Sequence, residues 1–183
     1  MLNQISPLTS QPKSQDAVDL LIGCHQRIRH FTGVAIRLAH AQGAEADEVV
    51  QAASGAHRYY TISLPLHEAD EEETVRPRLN ALDDQKLRHA LLAMTDQHQA
   101  IDDLLERLLP LLVMVQNNPQ TIHAAGSEMC GISQALDEMF RAHLQLEEEV
   151  IFPAIRSGLP EGVRGEMLRE MQGRRKQGPE VRD

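Results

Sequence analysis

Two stretches of the sequence, residues 67–77 and 143–153, repeat each other without a gap. Each begins with a histidine, continues four residues later with three consecutive glutamates, and ends with a proline. The offset is 76 residues (143 minus 67), and a second match, His25-Gln-Arg-Ile28 with His98-Gln-Ala-Ile101, has an offset of 73 (98 minus 25). A loop absorbs this small difference in offset, so the pattern predicts two copies of one supersecondary unit.

Apolar residues recur at three- and four-residue spacings along almost the whole chain, which is typical of amphipathic helices. Asp83 or Asp84 is the expected N-cap of the third long helix, and Asn118 is that of the fourth. We expect Pro65 to interrupt the second helix and Pro77 to end the segment that follows it. The predicted helices span residues 15–41, 44–60, 66–76, 84–116, 119–155 and 160–172.

Helices of this length joined by short turns predict an all-α fold, an antiparallel up-down four-helix bundle with a short C-terminal helical extension. The bundle is expected over residues 13–158. Residues 159–183 are expected to form a short helix and a disordered basic tail that includes Arg174, Arg175 and Lys176. Each half of the bundle is then one helical hairpin that carries a lone histidine and one His-x-x-x-Glu motif.

The composition excludes several classes of function. The chain has 18 basic and 27 acidic residues and only 3% aromatic residues, which argues against a nucleic-acid partner. No stretch approaches the roughly 18 uninterrupted apolar residues of a membrane span, and the first fifteen residues lack the apolar run of a signal peptide. Two cysteines are too few for a disulfide framework. A cytoplasmic protein without a membrane partner is the expectation, and the nine histidines are the feature to explain.

Both His-x-x-x-Glu motifs place an imidazole and a carboxylate on one helix face, because positions i and i+4 are neighbours in an α-helix. The motifs pair His67 with Glu71 and His143 with Glu147. Such donors suit iron, manganese or zinc. With the lone histidines of the other two helices, the predicted metal ligands are His25, His67, Glu71, His98, His143 and Glu147. Six ligands with two carboxylates favour two ions, each bound by two imidazoles and bridged by both carboxylates, with a coordination position left for a diatomic ligand or peroxide.

These residues resemble the hemerythrin-like, His-His-Glu cation-binding family of four-helix bundles. The resemblance covers roughly residues 16–156 and implies two iron ions with an oxo or hydroxo bridge, for which zinc or manganese can substitute. It implies the same six ligands. Oxygen-carrying hemerythrins have two histidines on the third helix, whereas here Met94 and Asp102 flank His98 at four residues on either side. The four-histidine pattern is closer to bacterial di-iron proteins of nitrosative stress and iron–sulfur repair, and to an iron-sensing eukaryotic domain.

Glu68 is a candidate additional ligand, because the iron-sensing branch has a glutamate directly after the histidine of the second helix. The other acids of each run are interpreted as solvated, since only one acid of a run is expected to point inward with its histidine. Cys24 is expected to pack between helices, and Cys130 lies too far along its helix for the same site. Surface positions are expected for the remaining histidines, His30, His40, His57, His89 and His123.

Together these features predict a non-haem di-iron protein that binds or senses a small ligand such as O2 or NO, or responds to redox or iron status. One alternative is an enzyme that acts on peroxide or nitric oxide, as in a stress response. Iron storage or delivery is another, and a bundle that has lost its metal and serves as an interaction module is a third. A sensor without an output domain needs a protein partner, and a homodimer is also compatible with the sequence.

Overall fold

The computed structural model describes residues 16–177, which form five helices and no strand. Helix α1, Ala17–Ala39, begins at a capping box in which Asp16 and Asp19 each accept a hydrogen bond from the other's backbone N–H. Gly43 lies in the turn that follows, with a φ of 111° that favours glycine. The predicted start of the bundle at residue 13 and residues 178–183 of the predicted tail lie outside the described residues.

Helix α2 runs without a break over residues 46–80, so the predicted interruption at Pro65 and the predicted end before Pro77 are both wrong. A proline has no N–H to donate and its ring crowds the preceding turn, and a wider π-helical turn accommodates both effects. Each proline lies two residues after such a turn. The helix consists of α-helical segments Ala46–Arg58, Leu64–Ala69 and Arg76–Asn80, with π-helical turns at Tyr59–Ser63 and Asp70–Val75.

Helix α3, Gln85–Asn117, begins at Asp84, whose side chain accepts hydrogen bonds from two backbone N–H groups of the first turn. The helix continues through Pro110. Asn118 then caps a 3-10 turn, Pro119–Thr121. Helix α4 spans residues 122–158 and has the same construction as the end of α2, with segments Ile122–Leu146 and Phe152–Gly158 on either side of a π-helical turn at Glu147–Ile151.

Helix α1 packs against α2 and α4, and α3 packs against the same two helices, which gives the predicted four-helix bundle. The core divides into two hydrophobic clusters. One surrounds Leu108, Leu112 and Leu136, and the other surrounds Leu79 and Leu91. None of the helices in the described part of the chain is long and apolar enough to span a membrane.

Helix α5, Glu161–Gln177, packs on α1 and on the π-helical turn of α2 that contains Asp70. The predicted end at Gln172 is therefore five residues too early. Arg174 and Arg175, which were expected in a disordered tail, are helical, and both form ion pairs with the fully buried Asp70. A buried carboxylate needs such partners because burial without compensation is costly. Lys176 is also part of this helix.

Candidate metal centre

All six predicted ligands are buried, and the four helices of the bundle contribute to one polar cluster. Helix α1 contributes His25 and α3 contributes His98, while α2 and α4 contribute one His-x-x-x-Glu motif each. The exposed fraction of the six side chains ranges from 0% to 6%. Residues this polar are seldom buried unless they are paired or bind a metal. The structure thus brings together every residue of the predicted set.

The ligand atoms fall into two groups of four, and within each group they lie within 4.8 Å of one another. The first group contains His25 and His67, and the second contains His98 and His143. Glu71 and Glu147 belong to both groups. In each group, two imidazoles from neighbouring helices therefore lie next to the same two carboxylates.

Each shared carboxylate directs one oxygen to each histidine pair. Glu71 places Oε1 3.0 Å from Nε2 of His67 and Oε2 3.1 Å from Nε2 of His98. Glu147 places Oε2 2.8 Å from Nε2 of His25 and Oε1 3.4 Å from Nε2 of His143. The carboxylates therefore lie between the two pairs in the orientation that bridging of two cations requires.

Several of these atoms have no hydrogen-bond partner among the described residues, although they are buried. They are Nε2 of His67, Oε1 of Glu71 and Oε1 of Glu147. The His67 and Glu71 atoms are close together but are not aligned as a hydrogen bond. An unpaired buried polar atom lowers the stability of the folded protein by about 1–3 kcal/mol. A bound cation removes this penalty, because it accepts the lone pairs of the nitrogen and oxygen atoms at the same time. The donor set and its unpaired atoms therefore fit a metal ion.

The pKa values in the cluster show two carboxyl groups competing for one set of positive partners. Burial and then the charge of Glu71 raise the pKa of Glu147 to about 8. Burial opposes the charged form of Glu71 as well, but His67 and the other imidazoles outweigh it and hold its pKa well below the usual range. Burial lowers the pKa of His143 to about 3. Without a cation, the site accommodates one carboxylate charge more easily than two.

Three of the four imidazoles donate a hydrogen bond from Nδ1, the ring nitrogen that faces away from the shared carboxylates. Nδ1 of His25 lies 2.7 Å from Oε1 of Glu148, and Nδ1 of His98 lies 3.0 Å from Oε1 of Glu72. Nδ1 of His143 lies 3.2 Å from the side-chain oxygen of Gln97. Such partners fix the orientation of a ligating ring and increase its basicity.

The interpretation of Glu72 and Glu148 as solvated acids is therefore incomplete: Glu148 is exposed and Glu72 is half-buried, yet each accepts a hydrogen bond from a ligand imidazole. Both follow a shared carboxylate directly, and both belong to a π-helical turn, Asp70–Val75 or Glu147–Ile151. Both copies of the repeat have consecutive glutamates followed by a proline, but the i+4 rule selects only the first glutamate of each run.

The fourth ligand imidazole, that of His67, has the thiol of Cys24 as its neighbour. This thiol is buried and lies 3.1 Å from Nη2 of Arg27 and 3.5 Å from Nη2 of Arg175. Burial raises the pKa of the thiol, but a hydrogen bond to His67 and the positive charges of His67, Arg27 and Arg175 outweigh this and lower it to about 7. Cys24 belongs to neither ligand group, in agreement with the prediction that it packs between helices.

The other candidates lie outside the two ligand groups. Glu68 is half-buried and lines a small cavity next to the centre. Burial and then the charge of Asp102 raise its pKa. Cys130 lies 3.3 Å from Nε2 of His40, at another part of the bundle. None of the remaining histidines is buried, which agrees with the predicted surface positions of His30, His40, His57, His89 and His123.

A four-helix bundle that buries four imidazoles and two shared carboxylates in two ligand groups has the construction of a metal-binding protein. A model of the hemerythrin HHE cation-binding domain matches residues 16–155, which is most of the chain. The chain belongs to this family, and it is a metal-binding member with an iron-type ligand set. A search among curated proteins finds no match.

Proposed function

We propose that this protein holds two iron ions between its four central helices and binds a small ligand such as O2 or NO at them. His25 and His67 bind one ion, His98 and His143 bind the other, and Glu71 and Glu147 bridge the two. The observation that supports this most directly is the orientation of the carboxylates, each with one oxygen toward either histidine pair. An ion in only one of the two ligand groups would leave the other histidine pair and the oxygens that face it without a cation.

The number of donors supports two ions rather than one, because each group offers two imidazoles and shares two carboxylates with the other. Two divalent ions bring four positive charges to a cluster with two carboxylates, so a further anionic ligand such as an oxo or hydroxo bridge is favoured there. Imidazole and carboxylate donors suit iron, and zinc or manganese are the expected substitutes. Four protein donors per ion leave positions for a further ligand. When bound, the iron pair supplies a site at which a small ligand can bind and exchange electrons.

The residues of the chain have separate tasks in this proposal. Glu72, Glu148 and Gln97 hold three imidazoles in orientation through Nδ1. The two hydrophobic clusters on either side exclude water from the centre. Exclusion of water strengthens the electrostatic interactions inside and protects a bound ligand from side reactions.

Metal analysis of two variants tests the proposal. The wild-type protein, produced with iron available, is expected to contain two iron ions per chain and to gain near-ultraviolet and visible absorption in air. Glu147→Ala removes one bridge and is expected to abolish occupancy by two ions. Glu149→Ala is the matched control, because Glu149 is exposed in the same acidic run. Fewer than one iron per wild-type chain, or unchanged stoichiometry in Glu147→Ala, would contradict the proposal.

A further inference from the structure

A small cavity lies beside the metal centre. Its wall includes four of the six ligands, His67, Glu71, His98 and His143. The volume is about 10 Å³, which is room for the centre of one water-sized molecule. Two of the wall residues, His67 and Glu71, have unpaired buried atoms. The cavity therefore borders residues of both ligand groups.

The remaining wall is apolar inside and acidic at its edge. Leu64, Ile101 and Phe140 form the apolar part, and all three are buried. Glu68, which is half-buried, and Asp102, which is exposed, form the acidic part. Asp102 lies one helical turn after His98, so it occupies the same face of α3. A molecule that enters from solvent passes these two acids before it reaches the imidazoles.

The repeat places a second groove at the related position, but its residues differ. The positions related to Glu68 and Asp102 are Leu144 and Arg29, and both line a groove of about 130 Å³ between α1 and α4. None of the six described ligands lines that groove. Leu144 is 1% exposed, and the ion pair between Arg29 and Glu148, at 2.8 Å, lies beside it. The second groove is therefore closed off from the centre.

The first histidine pair is also covered on its own side. The ring of His25 is fully buried and stacks on Phe152, with ring centroids 5.0 Å apart. Cys24, which is 2% exposed, lies against His67. The cavity borders only His67 of this pair but both His98 and His143 of the other, so the second pair is the more accessible from it.

We infer that a small neutral ligand reaches the centre through this cavity and binds at the ion held by His98 and His143, and that Glu68 and Asp102 keep small anions out. This inference rests on the proposed function, because it concerns access to the same ions. Apolar walls admit an uncharged diatomic molecule without a charge penalty. Fixed carboxylates at the entrance lower the local concentration of anions, and such fields change association rates by tenfold or more.

The first test removes the charge of Glu68 with the residue that the repeat itself uses. Glu68→Leu introduces the counterpart of Leu144, and the iron-loaded variant is mixed rapidly with azide or with NO while absorption is recorded. The association rate of azide is expected to rise severalfold and that of NO to stay within twofold, with iron content equal to that of the wild type. An unchanged azide rate overturns the inference. Loss of iron would show that Glu68 is a ligand, and this also overturns its assignment to the entrance.

The second test reverses the charge at the entrance without touching the buried wall. Asp102→Arg introduces the counterpart of Arg29 at an exposed position, and azide is the anionic probe. The association rate of azide is expected to rise about tenfold, and that of NO to stay within twofold. Asp103→Arg is the matched control, because it makes the same change of net charge at a position outside the cavity. Equal azide rates in the two variants overturn the inference.

The outcomes separate this inference from the proposed function. If the wild-type protein contains two iron ions and binds NO, but Glu68→Leu and Asp102→Arg do not differ from it, only the access route is wrong. If the wild-type protein binds no iron, the proposed function and the inference both fail. Unequal effects on NO and azide are expected only when the acids act through charge, because a general loss of structure would slow both probes.

Discussion

The two copies of the repeated unit differ at the residues between their histidine and their shared carboxylate. In α2 these positions include Glu68 and Asp70, and in α4 the same positions are Leu144 and Leu146. The ligands themselves are identical in type and related in position. The two copies therefore share one arrangement of ligands but differ in what surrounds it. The copy in α2 is acidic at these positions and contacts a cavity and α5, whereas the copy in α4 is apolar and covered. This difference makes the two ions of the proposed centre inequivalent.

The largest expected effect concerns Asp70, the acid that replaces a leucine of the other copy. Asp70 is fully buried and forms ion pairs with Arg174 and Arg175 of α5. Asp70→Asn removes the charge that both arginines face, although Arg174 keeps its contact with Glu73, and is expected to lower the free energy of unfolding by about 3 kcal/mol. Urea denaturation followed by circular dichroism measures this. Helix α5 is expected to be lost first in hydrogen exchange.

A combined variant shows whether charge or packing is responsible. Asp70→Leu together with Arg174→Met and Arg175→Met replaces the whole group with apolar residues of similar size. Replacing all partners of a buried ion pair with apolar residues often leaves the free energy of unfolding unchanged. We therefore expect the combined variant to be more stable than Asp70→Asn. Equal losses of unfolding free energy in the two variants would show that the unpaired arginine charges are not the cause of the destabilisation.

The next expected effect compares the acids behind the imidazoles, Glu72 in the first copy and Glu148 in the second. Each contacts Nδ1 of a histidine on the neighbouring helix. Glu72→Ala and Glu148→Ala are both expected to weaken metal binding by about 10- to 100-fold, measured by competition with a chelator. Gln97→Ala removes a neutral partner of His143 and is expected to have a smaller effect. An equal loss for Gln97→Ala would show that charge is not important there.

The helical periodicity and the repeat were sufficient to predict the bundle and the six residues that meet at its centre, and the family followed from a resemblance. The repeat did not reveal that Glu72 and Glu148 contact ligand imidazoles, because the i+4 rule assumes an α-helix throughout. The π-helical turns at Asp70–Val75 and Glu147–Ile151 break that assumption. The role of Arg174 and Arg175 was missed for another reason: their partner, Asp70, is about a hundred residues away in sequence, and no local pattern identifies such a contact.

The related carboxylates Glu71 and Glu147 also differ, and a pH series on metal-free protein tests this. The pKa of Glu147 is raised to about 8, and those of His67 and His98 are raised from 6.5. Between about pH 6.5 and 8 the folded protein therefore holds protons that the unfolded chain has lost. Each proton held in this way contributes up to about 2 kcal/mol across the window, so the stability is expected to fall as the pH rises.

One group with the opposite sign titrates in this window: the pKa of Cys24 is lowered to about 7, so the folded protein loses a thiol proton that the unfolded chain keeps. The series is therefore run on Cys24→Ser as well as on the wild type. Glu71 also has a lowered pKa and is deprotonated in both states above pH 6.5. Thermal unfolding of metal-free protein at pH 6.5 and 8 measures the slope, and Glu147→Gln is expected to reduce it. Metal-loaded protein is expected to show the opposite slope, because protons compete with the metal for the same atoms. A metal-free protein that gains stability over this window would contradict the assignment.

The smallest expected effect belongs to the groove that does not reach the centre. Arg141 lines this groove, and its side chain is 77% exposed and pairs with Asp137 one helical turn away. Exposed pairs of this kind contribute at most about 0.5 kcal/mol. Arg141→Ala is therefore expected to leave the unfolding free energy within that limit and the association rates of NO and azide within twofold of the wild type. A large change in either rate would mean that small ligands also enter between α1 and α4, and the two copies would then be functionally equivalent despite their different residues.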